Sequence, residues 1–456
     1  MNKNFLNKCK KYYERYGVTG LCTKILEKAC TKDDYSVTRE KFVLTEDERK
    51  KQENTVWEEM PLISIVVPAY NPVRKYFTEL LESVKKQTYQ NWELCITDAG
   101  NKSVWPCISR VFDGDLRVKY KKLEVNGGIS ENTNAAIEMA SGEYISFLDH
   151  DDILEPDALY CVAKRIVKNH SDMIYTDEDK VDEGLTKYFD YYRKPDFNRV
   201  LLMTNNYICH FCTIRKSVIL NCGGLRKEYD GAQDYDLVLR ASDYCKRIDH
   251  IARPLYHWRT IASSTANNPF SKEYAYLAGK KAIEDYLCSH HSEDDFTVEE
   301  QKDMGFFSVK CNRTGEYSCE ILEPGDDFED NLSDYYLILP KDAVIKPADI
   351  DSLVAFLEFT GADIAVPKIV SGGKYLYNGI AKAGRGHTLS LKGKPWWFSG
   401  KFNLGNLAME VITVPKCGIL VNNTALKAVL ADENKYFSGM NSEIKMVYYP
   451  DVVIKI

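Results

Sequence analysis

From residue 62 the chain reads LISIVVPAYN, an unbroken apolar run closed by Pro68. This is the pattern of a strand buried on both faces that leaves a parallel sheet for a loop. Phe77, Leu80, Leu81 and Val84 then recur at i, i+3, i+4 and i+7, which predicts a helix, and NWELCITDAG returns to strand and loop. Strand, helix and strand in about 35 residues make a βαβ unit. The alternation continues with a strand over 117–123, a helix near 130–140, a strand over 144–148, a helix over 156–168 and a strand over 173–176. The fold class expected is α/β, with a mostly parallel sheet flanked by helices.

The pattern stops near Cys288. Residues 291–304, HSEDDFTVEEQKDM, hold six acids and few apolar positions, and read as a linker or domain edge. Beyond them YYLILPKDAVIKPADI (335–350) can be laid on YISFLDHDDILEPDAL (144–159) without a gap. Each is followed by a helix and then by a strand opened at an aspartate, Asp172 or Asp363. Order and spacing predict an internal duplication.

Composition narrows the class. The 456 residues carry 60 Lys and Arg against 67 Asp and Glu, a net charge of −7, and 44% are hydrophobic. This excludes a disordered or coiled-coil chain and leaves room for two or three domains. The acidity argues against a protein held on nucleic acid by its overall field. Fourteen cysteines scattered over a long chain with no signal-type apolar run read as reduced thiols in a cytoplasmic protein. No stretch approaches the roughly 20 apolar residues that span a bilayer, so any membrane work is expected at its surface. Positive charge concentrates in the first 32 residues, eight Lys and Arg against two Glu, interleaved with Phe5, Leu6, Tyr12, Tyr13, Leu21, Ile25 and Leu26. Gly17 and Gly20 interrupt the periodicity, which favours a solvated helical arm packed on its neighbour over an amphipathic membrane contact.

In open α/β sheets ligands sit at the carboxyl ends of strands. Pro68, Ala69, Tyr70 and Asn71 follow the first strand, Asp98 the second, and Asp149, His150, Asp151 and Asp152 the strand at Tyr144. Three carboxylates in four residues repel one another unless a cation lies among them, and oxygen ligands suit Mg²⁺ or Mn²⁺. Glu155 and Asp157 are already available to cap the following helix, so the triplet exceeds what a cap needs. In DGAQDYDLVLR (230–240) Gly231 permits a turn, and Asp234 and Asp236 open a helix, either as caps or with one as a general base. Leu255, Tyr256, His257, Trp258 and Arg259 set an imidazole beside an indole and a guanidinium. Cys209, His210, Cys212 and Cys222 have no second CxxC at zinc-finger spacing and read as buried thiols.

These segments together, PLISIVVPAYN, QTYQNWELCITDAG, NGGISENTNAAIEMASGEYISFLDHDD, MIYTDEDK, KPDFN, NNYICH, GGLRKEYDGAQDYDLVLR and PLYHWR, with STA at 264–266, resemble the inverting glycosyltransferases of family 2. The likeness is to the branch that assembles bacterial cell-surface polysaccharide and rhamnan with tandem domains. It implies a GT-A fold in which Pro68, Tyr70 and Asn71 line the nucleotide base, Asp98 bonds the base edge, and Asn132 and Asn134 serve the donor. It further implies that Asp149 and Asp151 hold Mn²⁺ or Mg²⁺ on the donor diphosphate, with Asp152 in support and His257 completing the metal shell. Asp234 is then the base, beside Gln233, and Arg259 lies over the leaving diphosphate.

Ala99, Gly100 and Asn101 replace the second base-binding acid, and Thr133 stands where many relatives have Arg, which leaves the donor open between UDP- and dTDP-sugars. The division expected is a basic arm over 1–58, a catalytic GT-A domain over 59–288, the acidic linker over 289–304, and a truncated, degenerate GT-A-like domain over 305–456. In that last part Pro340 and Ala343 replace Asp149 and Asp152, Asp342 alone remains, and Tyr375, Trp396, Trp397 and Phe398 offer stacking faces for glycan. The partners implied are a nucleotide-sugar, a lipid-linked or polysaccharide acceptor, a possible membrane surface at the arm, and a second copy of the chain. The alternative is a non-catalytic partner of another transferase.

Overall fold

The computed structural model describes residues 13–18, 20, 22–27, 35–261, 273–313, 315–325, 333–388, 390–439 and 443–456. These divide into two compact units, one of residues 33–197 and 206–282, the other of residues 1–32, 198–205 and 283–456. Within that division residues 33–58 go with the larger unit.

The larger unit is built on a nine-stranded sheet ordered β3-β2-β1-β4-β8-β6-β9-β5, with β7 on the flank of β6. The strands are β1 (Ile63–Ala69), β2 (Trp92–Asp98), β3 (Val118–Lys122), β4 (Tyr144–Phe147), β5 (Ile153–Leu154), β6 (Met173–Asp182), β7 (Tyr188–Tyr192), β8 (Cys212–Arg215) and β9 (Ile248–Thr260). β1 pairs in parallel with β2 and β4, and β2 with β3, forming the expected βαβ half. Every residue of β1 and β2 is buried, because helices cover both faces. The helix Arg74–Lys85 buries Phe77, Leu80, Leu81 and Val84, the four positions its periodicity marks. Helix Ala158–Asn169 buries Leu159, Val162, Ala163 and Ile166 against the same core. β8 then enters antiparallel between β4 and β6, and β9 lies parallel to β6.

Glu155 and Asp157 do not cap the helix that follows them: Asp157, at the N-cap position, makes no capping bond. Arg253 takes the Asp157 carboxylate at 2.6 Å, while Glu155 is paired with Arg39. Ion pairing with half-buried guanidinium groups outcompetes the cap.

The smaller unit has a seven-stranded sheet. In order it contains Cys319–Leu322, Tyr335–Ile338, Ile419–Asn422, Ile364–Ser371, Met446–Lys455 and Met409–Glu410, with Lys374–Tyr377 on the flank of Ile364–Ser371. Residues 289–304, expected as a linker, contain a 3₁₀ turn (Glu293–Asp295) and the strand Phe296–Glu300, which buries Phe296 and Val298. The alternation of those two apolar residues with polar ones suits an edge hairpin with Phe307–Cys311.

Two arm cations are internally paired, Arg15 with Glu300 at 2.8 Å and Lys24 with Asp303 at 2.6 Å. Lys3, Lys8, Lys10, Lys11, Lys28 and Lys32 lie outside the described residues, as does the segment 264–266. No helix among the described residues is long and apolar enough to cross a membrane. The described cysteines are free thiols. Tyr375 and Phe398 pack into a small core with Leu391 and are lost as stacking faces, whereas Trp396 and Trp397 stay exposed.

Candidate active site

β4 ends where the acidic loop begins. Asp149 is exposed, Asp151 half-buried and Asp152 buried. β4 and β8 are antiparallel, with Tyr144 opposite Arg215 and Ser146 opposite Thr213, so continuing the register puts His210 opposite Asp149. The side chains meet, His210 Nε2 lying 3.5 Å from Asp149 Oδ2. The other ring nitrogen is 3.5 Å from Glu178 Oε2 and 3.1 Å from Cys209 Sγ. Tyr256 stacks on the His210 ring at 4.7 Å and bonds Asp152 Oδ2 at 2.5 Å. Burial works against a charged His210, but the Cys209, Asp149 and Glu178 side chains outweigh it and hold its pKa well above the usual value.

Asp151 is raised by burial and by the neighbouring Asp149 charge, and Asp152 well raised by burial and by both neighbours. Carboxylates crowded at a strand end, with the exposed Asp149 raising both Asp151 and Asp152, fit a hard divalent cation. Asp149 and Asp151 therefore suit Mg²⁺ or Mn²⁺. Asp152 does not share that role, since Oδ1 accepts from Arg259 N at 2.7 Å and Oδ2 from Tyr256. It ties the loop to β9.

Asp234 opens the helix Gln233–Tyr244. Its Oδ2 accepts from Asn206 Nδ2 at 3.0 Å, and enclosure raises its pKa, opposed by His210 and reinforced by Asp149. Gln233 turns back to accept from Gly231 N at 2.8 Å. The preceding loop is anchored by Asp230, which accepts from Ser130 N at 3.1 Å. Asp149, Asp151, His210 and Asp234 thus share one electrostatic neighbourhood.

Other expected residues stand elsewhere. His257 does not face Asp149. It is buried between Asp179, 2.5 Å from Nδ1, and Glu155, 3.4 Å from Nε2. Burial lowers its pKa, but the two carboxylates prevail and hold it at about 9. The register explains this: Tyr256 pairs with Glu178 and His257 with Asp179, after bulges at Asp177. Successive strand residues face opposite ways, so Tyr256 reaches His210 and His257 faces away.

Arg259 is fully buried. It donates to the carbonyls of Asp151 (2.7 Å) and Glu183 (3.1 Å) and pairs with Glu79 at 2.8 Å, while its Nη2 has no partner. It holds the backbone of the acidic loop.

Asp98 is likewise consumed within the fold. Oδ1 accepts from Gly100 N and Lys122 Nζ, and Oδ2 from Val104 N and Tyr120 Oη, which fills its lone pairs. Gly100 is needed there, since an added Cβ would lie 2.8 Å from Asn71 N. Asn71 Oδ1 accepts from Asn101 N at 2.8 Å, and Tyr70 is exposed. A cleft of about 210 Å³ opens beside them, lined by Asn71, Pro72, Arg74, Lys102 and Val104 among others. The Pro68 carbonyl is 3.3 Å from His150 Nδ1. Asn134 is closed in a reciprocal pair with the Leu225 backbone, and Asn132 bonds Asn126 and Gly127 N. These asparagines shape loops.

The sequence marks His210 only within a cluster read as buried thiols; its meeting with Asp149 needs β8 to be known to lie antiparallel to β4.

Comparison with known proteins agrees with this geometry. Residues 64–223 match the glycosyl transferase family 2 domain, and the larger sheet with its parallel half and acidic strand end is of the GT-A type. Among curated relatives, an uncharacterized protein of Sinorhizobium fredii, y4gI, is 44% identical over 50% of this chain and 26% of its own length. The O-antigen biosynthesis protein RfbC of Myxococcus xanthus is 32% identical over 50% of this chain and 18% of its own. Chondroitin synthase of Pasteurella multocida is 28% identical over 65% of this chain and 30% of its own. The chain spans less than a third of each of these relatives.

Proposed function

We propose that the larger unit is a metal-dependent, inverting glycosyltransferase that moves a sugar from a UDP- or dTDP-sugar to a hydroxyl of a lipid-linked or polysaccharide acceptor in cell-surface glycan assembly. The observation that carries this reading is the approach of His210 to Asp149 at the end of β4, beside Asp151 and with a pKa-raised Asp234 in their field. A divalent ion held by Asp149 and Asp151 would supply positive charge to the leaving diphosphate. Asp234 in its deprotonated form accepts the acceptor hydroxyl's proton, its Oδ2 steadied by Asn206. The hydroxyl oxygen bonds to the anomeric carbon as the carbon–oxygen bond to the diphosphate breaks on the opposite face, and the electron pair leaves with the nucleoside diphosphate. One displacement inverts the centre without an enzyme nucleophile. Arg259, through the Asp151 carbonyl, and Asp152, through Tyr256, keep the acidic loop in place.

The smaller unit is a second copy without catalysis. Its matching strand end offers a single exposed carboxylate, Asp342, a poor divalent site. Incubating the protein with Mn²⁺ and a panel of sugar nucleotides, and measuring released nucleoside diphosphate with and without glycan acceptor, tests the reading. No turnover with any UDP- or dTDP-sugar, in protein that binds Mn²⁺, would leave the non-catalytic partner role standing.

A further inference from the structure

We propose that Glu178, Cys209 and His210 form a second cation site, selective for zinc, against the Asp149 side of the acidic loop. The three side chains offer a carboxylate oxygen, a sulfur and a ring nitrogen, all within 4.8 Å of one another. That mixed set suits a borderline-soft ion and is a poor match for Mg²⁺ or Mn²⁺.

The surroundings orient each donor. Lys194 is fully buried, and its ammonium bonds Glu178 Oε2 at 3.0 Å and the Ile208 carbonyl at 2.6 Å, as well as the His210 carbonyl. It fastens the 208–210 backbone to the carboxylate that would share the ion. The contacts of Glu178 with Lys194 and with the His210 backbone and ring all fall on Oε2, and Oε1 is the oxygen left to turn to a metal. On the far side of the ring, Asp149 Oδ2 lies 3.5 Å from Nε2, the carboxylate–imidazole arrangement that commonly fixes a metal-bound histidine. Tyr256 stacked on the ring limits its rotation. The His210 side chain keeps 18% of its surface exposed, so an ion has an entry path. On binding, the Cys209 thiol and the His210 Nδ1–H each give a proton to solvent, Nε2–H staying toward Asp149, and the thiolate, Nδ1 and Oε1 take three positions, with water in the fourth. Because Asp149 stands on both sites, zinc there ties the histidine to the residue that would hold the donor's ion.

The site does not rest on the transferase reading, and its test needs no turnover. In metal-stripped protein, Zn²⁺ is expected to protect Cys209 from iodoacetamide, read by peptide mass spectrometry, by at least about tenfold, whereas Mg²⁺ is not. Co²⁺ in place of Zn²⁺ is expected to give a sulfur-to-metal charge-transfer band. Cys209→Ser removes the band, His210→Asn weakens Co²⁺ binding at least about tenfold, and Asp151→Asn leaves the band in place. Unprotected Cys209 in the wild-type protein, or a band undiminished in Cys209→Ser, overturns the proposal. The wild-type alkylation experiment decides the matter even if a variant misfolds.

Discussion

The two units carry the same run of strands. In the larger, β1, β4, β8, β6 and β9 are joined by parallel, antiparallel, antiparallel and parallel pairings, with β7 antiparallel on β6. In the smaller, Cys319–Leu322, Tyr335–Ile338, Ile419–Asn422, Ile364–Ser371 and Met446–Lys455 follow the same sequence of directions, with Lys374–Tyr377 antiparallel on Ile364–Ser371. Even a minor contact recurs: Ile153 pairs with His257, and Val344, nine residues into the matching segment as Ile153 is into its own, bridges Lys455. Asp172 and Asp363 each hold the strand opening by accepting a backbone N–H from the return connection, that of Lys246 at 2.9 Å and Lys445 at 2.8 Å.

Beyond the strands at the sheet ends, the difference that matters for chemistry lies at one strand end. The register that sets His210 opposite Asp149 sets Cys417 opposite Pro340. Scaffold and site have therefore separated: hydrogen-bonded pairing and buried apolar faces persist where only Asp342 of the carboxylates is left. Packing needs only shape and apolarity, whereas a cation site needs each ligand.

The contrast can be broken by mutation. Asp151→Asn and Asp234→Asn in the larger unit are each expected to lower transfer by about 10²–10⁴-fold, measured as acceptor glycosylation under saturating donor. Transfer at wild-type rates in either variant would remove that residue from the chemistry.

A pH profile sharpens the assignment of the base. Asp234 has its pKa raised by enclosure, and as the proposed base it would act in its deprotonated form. The acid limb of kcat/KM is thus expected above the ordinary aspartate range of about 4, with the rate falling roughly tenfold per pH unit below it. A limb at the ordinary position would assign the base to another group.

Stability should not distinguish the units. Asp172→Ala and Asp363→Ala are expected to cost about 1–3 kcal/mol each, read by urea denaturation followed at probes in each unit. A large cost at one and none at the other would show that the shared strand-opening bond is not equivalent. Smallest of all, Asp342→Asn at the exposed counterpart of Asp151 should leave transfer within about twofold of wild type. A loss on the scale of Asp151→Asn would place chemistry in the smaller unit.

Much of this was legible in the chain. The apolar run of β1, the helical stripe at Phe77 to Val84, and the placement of Asp149 to Asp152 directly after a strand follow from local periodicity, which tertiary packing respected. The gap-free overlay of 144–159 on 335–350 reflects the same period and the same strand pairing. β5, β7, β8 and β9 are not marked by the local pattern, β5 being too short and β7 too aromatic and irregular to show alternation.

Side-chain direction at the site was decided only by the folded sheet. Bulges at Asp177 set which of two adjacent residues, Tyr256 or His257, faces the acidic loop, and a one-residue slip exchanges them. Asp98 reads as a ligand-binding carboxylate until four donors converge on it from Gly100, Val104, Tyr120 and Lys122. His210 reads as part of a cluster of buried thiols until β8 carries it across from Asp149. Local sequence fixes which residues stand at strand ends. Which of them meet depends on pairings between segments some 60 residues apart, whose register is a property of the whole sheet.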